Sequence, residues 1–246
     1  MDIAAGARRL EEKMAELFSV RIPFSEHLEK WEDAALPDKY DHNCFEYIAQ
    51  PTEEEFRKAI LYQKAKGASF LKLEGNEPLE ETFGLEAGVT LTMYLSDQES
   101  DWIINEGISL RTPALPELEE LEVKHFGALY GEDFSARNVR RLYEKLDFHG
   151  AYLGERLTGA CYSFSADGFT CIDGLIVDNG HRNLRIATTI LDRIRKAHPD
   201  EVLILHADSG DTPKEMYAKL GFEIIDRLYE YSCTDIRAFG ISPTMH

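Results

Sequence analysis

The sequence predicts a mixed α/β fold, and three patterns support this prediction. Apolar runs of strand length alternate along the chain with segments whose apolar residues recur at helical spacing. Three strand-like runs follow one another within residues 150–177, which is typical of an antiparallel meander. After residue 177 the chain continues as helix, strand, helix and strand, and together with the preceding strand this alternation favours parallel pairing.

Residues 1–106 are predicted to form a smaller mixed α/β domain. Leu10 and Met14 lie at helical spacing in a charged segment, which predicts an amphipathic helix over residues 3–18. A second helix begins after Thr52, a residue type that caps helix N-termini, and acidic side chains fill its first turn. The predicted strands of this part are residues 44–48, 70–73 and 89–95.

Residues 107–246 are predicted to form a second domain. Its predicted strands are residues 108–110, 150–153, 158–165, 169–177, 202–206 and 222–231, and its predicted helices are residues 117–129, 136–146, 184–198 and 213–220. The tetrapeptide Leu61–Lys64 resembles Leu142–Lys145. This similarity leaves open that the N-terminal domain is a degenerate copy of the C-terminal one.

The composition excludes several classes of protein. The chain has 27 Lys and Arg residues against 45 Asp and Glu residues, a formal net charge of −18, and its basic residues are dispersed. A nucleic-acid partner is therefore not expected. The longest apolar runs are of strand length, so no membrane association is expected. The first residues lack the apolar segment of a secretory signal, which predicts a cytoplasmic location.

The four cysteines give no indication of a metal site or of a disulfide framework. Cys44, Cys161, Cys171 and Cys233 lie far apart, and no two of them have C-x-x-C spacing. We therefore expect free thiols and no metal.

The most informative segment joins the strand at 169–177 to the helix at 184–198. The strand ends, a short polar loop turns, and the helix begins with small residues. Such a junction presents free backbone N–H groups and the positive end of a helix to an anion. The segment therefore predicts a phosphate-binding loop.

Two sequence motifs carry a family resemblance. Val177, His181, Arg182 and Ala187 match the pattern V-x-P-x-[YHF]-[RQ]-x-x-G-x-G/A, and residues 216–222 (MYAKLGF) match L-Y-x-K-L-G-F. In both motifs and in its order of elements, the chain resembles the GNAT superfamily of N-acetyltransferases across roughly residues 107–232. The resemblance implies a GNAT acyltransferase fold in the C-terminal half, with the smaller mixed α/β domain before it.

The resemblance also implies a co-substrate and a reaction. Acetyl-CoA would supply the acetyl group, and a primary amine on a small molecule or a protein would accept it. The chain would act as a monomer or homodimer. The residues that correspond to the family's cofactor site are Leu175, Ile176, Val177, Arg182, Asn183, Leu184, Arg185, Ile186, Ala187 and Thr188.

Two residues of the loop depart from the family pattern. Asn179 replaces a frequent proline, and Arg185 replaces the first glycine of the phosphate loop, where a missing side chain lets phosphate approach the backbone. Arg185 either turns outward and pairs with a phosphate, or marks decay of the cofactor site. The second reading corresponds to a non-catalytic GNAT-like protein that acts as a CoA sensor or a protein-interaction module.

Tyr217 corresponds to the family's general acid. A phenol has an ordinary pKa of about 10, above that of a thiol, so near neutral pH it can donate a proton to the departing thiolate. The resemblance therefore assigns to Tyr217 the protonation of the leaving thiolate.

Asp173 is the predicted general base. It lies in an otherwise apolar strand, where alternation places it on one face with Cys171 and Val177. Burial of such an acid would favour its use as a base, and a role in surface pairing is the alternative. His206 and Asp208, at the end of the next strand, are reserve candidates.

Overall fold

The computed structural model describes residues 2–96 and 101–241. The chain divides into two compact units that are discontinuous in sequence. The first unit comprises the described residues within Met1–Glu11, Met93–His206 and Glu215–Ile224, and the second comprises those within Glu12–Thr92, Ala207–Lys214 and Ile225–His246. Since both units contain early and late parts of the chain, the linear division at residues 106 and 107 stays a prediction.

The helices and strands follow the predicted order with two additional strands near the N-terminus. The helices are α1 (Ile3–Glu16), α2 (Glu53–Ala65), α3 (Leu115–Tyr130), α4 (Glu132–Tyr143), α5 (Ile186–Ala197) and α6 (Pro213–Lys219). The strands are β1 (Val20–Pro23), β2 (Leu28–Glu32), β3 (Phe45–Tyr47), β4 (Leu71–Gly75), β5 (Glu86–Leu95), β6 (Ile108–Arg111), β7 (Asp147–Leu153), β8 (Arg156–Ala166), β9 (Phe169–Val177), β10 (Val202–Asp208) and β11 (Phe222–Cys233). None of the described helices is long and apolar enough to cross a membrane.

In the first unit, neighbouring strands lie in the order β10-β9-β8-β7-β6. The pairs β6–β7, β7–β8 and β8–β9 are antiparallel, which confirms the predicted meander. Strands β9 and β10 are parallel, as the alternation predicted, and helix α5 connects them. Helix α5 buries an apolar stripe that includes Ile186, Ile190 and Ile194. The fold is thus the predicted mixed α/β class.

A β-bulge interrupts β9 in the middle of the meander. Ala160 of β8 lies opposite Ile176, whereas Tyr162 lies opposite Asp173, so β9 has one residue more than its partner over this interval. Gly174 takes φ 61° there, a left-handed conformation that glycine adopts without strain. The predicted shared face of Asp173 and Val177 is therefore wrong, because the extra residue shifts the alternation by one position.

In the second unit, neighbouring strands lie in the order β1-β2-β3-β4-β11. Strands β3 and β4 are parallel and are joined through α2, so this unit also contains a strand–helix–strand crossover. Its core includes Phe45, Phe56, Ile60 and Leu73.

Candidate functional site

The loop between β9 and α5 has a strained backbone. A short 3₁₀ turn covers Asn179–His181, and Arg185 is the N-cap residue of α5. Asn183 and Arg185 take φ of 65° and 58°, so two non-glycine residues within three positions are left-handed. Such residues cost on the order of 1–3 kcal/mol each and cluster at functional sites. Two of the four described non-glycine residues with positive φ thus lie in the segment that the sequence predicted to bind phosphate.

The N-terminus of α5 is open. The side chain of Arg185 makes no capping hydrogen bond. The N–H groups of the first turn have no partner inside the helix, and here they belong to residues 186–188. These N–H groups and the positive helix end favour an anion at this position. Ala187 and Thr188 thus belong to the first turn of α5.

Asn105 holds the loop in place, a role that no sequence pattern indicated. Its side-chain Nδ2 donates a hydrogen bond to the Leu184 carbonyl over 2.9 Å. Its backbone N–H donates to Thr189 Oγ1 over 3.1 Å. Leu184 itself is 42% exposed and precedes the helix. Two anchors from one residue therefore fix both sides of the α5 N-cap.

The corresponding helix of the second unit has the opposite chemistry. Thr52 caps α2 and forms a capping box with Glu55, which occupies donors at that helix end. Three glutamates fill the first turn, Glu53–Glu55. An anion would meet carboxylates there. Of helices α2 and α5, it is α5 whose N-terminus suits phosphate.

A buried carboxylate gathers cations at the start of the loop. Asp178 is 4% exposed, and its Oδ1 accepts a hydrogen bond from Lys124 Nζ at 2.5 Å. Its Oδ2 lies 2.9 Å from His181 Nδ1 and 3.3 Å from a terminal nitrogen of Arg156. The hydrogen bond from Lys124 lowers the pKa of Asp178 to about 2, against the effect of burial. With Arg182 exposed nearby in the same loop, the region carries an excess of positive charge.

Asp173 lies where β9 and β10 stop pairing. Their register runs from Val202 opposite Phe169 to Leu205 opposite Ile172, and no further pair is described although β9 continues to Val177. Asp173 is therefore the first residue of β9 beyond the paired stretch.

Two donors hold the Asp173 carboxylate. The hydroxyl of Tyr162 donates to Oδ2 over 2.9 Å, and the N–H of Gly174 donates to Oδ1 over 2.7 Å. Burial and the adjacent Asp173 raise the pKa of Tyr162 well above its ordinary value, so this phenol remains a donor. The bulge at Gly174 thus orients the predicted base as well as bending the strand.

His206 belongs to a chain of three polar groups. Its Nε2 lies 2.7 Å from Glu11 Oε1, and its Nδ1 lies 3.9 Å from Cys171 Sγ. Burial opposes the charged ring, but Cys171 and Glu11 outweigh it and raise the pKa of His206 well above its ordinary value. Sequence reasoning missed Glu11, because it lies 195 residues away from His206. The other reserve candidate, Asp208, is exposed and accepts a hydrogen bond from the Gly210 N–H in its own turn.

Tyr217 is a buried residue of α6. It is 7% exposed, and its ring packs edge-on against Phe222 with 6.0 Å between ring centroids. The indole N–H of Trp102 donates to the Leu220 carbonyl over 3.0 Å at the end of this helix. Gly221 takes φ 92° and so permits the turn from α6 into β11. The second motif is therefore a well-packed helix-to-strand junction.

Solved structures share this fold. One is a functionally unknown conserved protein from Staphylococcus epidermidis ATCC 12228, with 18% identity over 88% of this chain and 94% of that chain, and a TM-score of 0.73. A second is a GCN5-related N-acetyltransferase from Kribbella flavida, with 14% identity over 94% and 96% of the two chains and a TM-score of 0.62. A third is a tandem GNAT protein from the clavulanic acid biosynthesis pathway, with 14% identity over 84% and 78% of the chains and a TM-score of 0.54.

These similarities establish the fold of the chain as that of the GNAT acetyltransferases. The fold predicted from the two motifs is thereby confirmed. At such low identity the likeness concerns the fold and leaves the reaction to be argued from the site. No protein-family model and no curated protein sequence matches the chain.

Proposed function

We propose that this protein transfers the acetyl group of acetyl-CoA to a primary amine. The observation that carries the proposal is the open, strained N-terminus of α5 with cations around it, in a chain with the GNAT fold. A pyrophosphate suits this position, because it can accept hydrogen bonds from the N–H groups of residues 186–188 and pair with Arg182 and Arg185.

The proposed chemistry is a direct transfer. The amine nitrogen attacks the carbonyl carbon of the thioester, the C–N bond forms, and the C–S bond breaks. Asp173 accepts the proton that the amine loses, with its carboxylate oriented by Tyr162 and Gly174. Tyr217 donates a proton to the departing thiolate sulfur. Each catalytic role thus falls to one side chain of the first unit.

The acceptor is proposed only as a class. The Asp173 carboxylate favours a cationic amine over an anionic one. A small polyamine, an aminoglycoside or a lysine side chain fits this description. A cytoplasmic location and a monomeric or homodimeric state stay predictions.

A second candidate is a non-catalytic CoA-binding protein. Arg185 favours it, because a long side chain occupies the left-handed position where the family pattern has glycine. The two candidates share the phosphate loop and differ in turnover.

Binding is tested by placing a carboxylate in the loop. Ala187→Glu puts a negative charge in the first turn of α5, where it stabilises the helix dipole but repels phosphate. We expect CoA affinity to fall roughly tenfold or more in titration calorimetry. Ala114→Glu is the matched control, because Ala114 is an exposed residue at the N-terminus of α3. Equal CoA affinity in both variants would show that CoA does not bind at this loop.

Turnover is tested with a panel of primary amines and acetyl-CoA. Release of free thiol and a mass increase of the amine by one acetyl group support the transferase. Binding of acetyl-CoA without thiol release above the background with any amine would support the non-catalytic candidate instead.

A further inference from the structure

Lys124 and Arg156 meet the phosphate loop at one buried carboxylate. Lys124 lies on α3, and Arg156 is the first residue of β8, so two separate elements bring them to Asp178. The side chains of these two cations are 52% and 64% exposed, whereas that of Asp178 is 4% exposed. Each cation is therefore held at its inner side and remains open to a ligand at its outer side.

The charge of this cluster is not balanced. The single carboxylate of Asp178 faces two cationic side chains, those of Lys124 and Arg156. One cation neutralises the carboxylate, so the second leaves a net positive charge that favours an anion at this position. Burial and Arg182 lower the pKa of His125 on α3 while Asp178 opposes them, which places the Arg182 charge near the same helix.

An acyl-CoA carries two separate phosphate groups, a pyrophosphate and a ribose 3′-phosphate. The N–H groups of α5 account for the pyrophosphate in the function proposed above. Lys124 and Arg156 are side-chain donors at the other end of the same loop, next to Val177. A phosphate monoester, with its higher charge, suits two cationic side chains better than a diester does.

We propose that Lys124 and Arg156, held by Asp178, bind the ribose 3′-phosphate of the acyl-CoA. The cluster makes the protein selective for 3′-phosphorylated CoA over its dephospho form. This inference rests on the proposed binding of acyl-CoA, and it is independent of whether the protein catalyses transfer.

The test compares CoA with 3′-dephospho-CoA in titration calorimetry. We expect the native chain to bind CoA roughly tenfold to a hundredfold more tightly. In the double variant Lys124→Gln, Arg156→Gln this ratio is expected to fall towards one, because only CoA affinity is lost. The matched control is Lys196→Gln, since Lys196 pairs with a buried aspartate, Asp192, at the opposite end of α5. Thermal unfolding of each variant verifies that the fold persists.

Three outcomes would contradict the inference. Equal binding of both compounds by the native chain would remove the 3′-phosphate subsite and leave the proposed function intact. An equal loss for both compounds in the double variant would assign the cluster to the pyrophosphate. Absence of binding for either compound would overturn both the subsite and the proposed CoA site.

Discussion

Replacing Arg185 by glycine tests the phosphate loop most directly. The residue lies at φ 58° and ψ 25°, and its side chain is exposed and makes no capping hydrogen bond. A non-glycine residue in this conformation costs roughly 1–2 kcal/mol. Glycine removes that cost but adds about 0.5–1 kcal/mol of conformational freedom to the unfolded chain. Arg185→Gly is therefore expected to raise the free energy of unfolding by up to about 1 kcal/mol.

Arg185→Ala separates the backbone effect from the charge. Alanine also lacks the guanidinium, but it keeps the left-handed strain, so the glycine variant is expected to be more stable by about 1 kcal/mol. Urea denaturation of the two variants measures this difference. A more stable alanine variant would refute the claim that the loop is strained at this position.

The same pair of variants decides what the guanidinium does. A charged hydrogen bond to phosphate contributes roughly 1.5–3 kcal/mol, so Arg185→Ala should weaken CoA binding about tenfold to a hundredfold. Arg185→Gly is expected to be tolerated, because phosphate can then approach the backbone. Titration calorimetry with CoA measures both. Tighter binding in both variants would identify Arg185 as an obstruction.

Three further substitutions test the proposed acid, the proposed base and the His206 pair. Tyr217→Phe is expected to lower turnover on the order of tenfold to a thousandfold and to leave CoA affinity unchanged. Steady-state turnover assays and calorimetry measure the two quantities. Full activity in this variant would leave Tyr217 with a packing role alone. Asp173→Asn should shift the pH profile of the rate, and an unshifted profile would remove it as the base. Glu11→Gln should lower the raised pKa of His206. The stability that a raised histidine pKa contributes is complete below about pH 6.5 and is lost as the pH rises through the folded pKa. Denaturation should therefore show the largest loss of unfolding free energy in the variant between about pH 4.5 and 6.5. A loss that does not depend on pH would contradict the pairing.

The sequence predicted the helices and strands whose formation depends on residues close together along the chain. The meander and the crossover through α5 follow from short apolar runs and turn residues, and both are present. Strand β2 was not predicted, because its sequence LEKWE contains Lys30, which is 1% exposed. That ammonium donates to the Asn43 carbonyl over 2.5 Å. Only a tertiary contact makes a lysine compatible with such burial.

The sequence does contain an indication of the bulge in β9. A glycine inside a strand pattern indicates a bulge, and Gly174 directly follows the one acid of that strand. No such signal exists for the contacts of Asp178, because Lys124 and Arg156 lie 54 and 22 residues away from it along the chain. The role of Tyr217 came from the family resemblance alone.

The acidic composition of the chain is compatible with the proposed polyanion site, because a bound ligand responds mainly to nearby charges. At physiological ionic strength the Debye length is about 8 Å, so most of the net charge of −18 is screened from a ligand at the α5 N-terminus. In the proposed site, the phosphate would meet backbone N–H groups and the side chains of Arg182 and Arg185. The N-terminus of α2 provides the contrast, because the capping box of Thr52 and Glu55 occupies backbone N–H groups at that helix end. The absence of a side-chain cap at Arg185 thus leaves the first N–H groups of α5 available for the proposed phosphate.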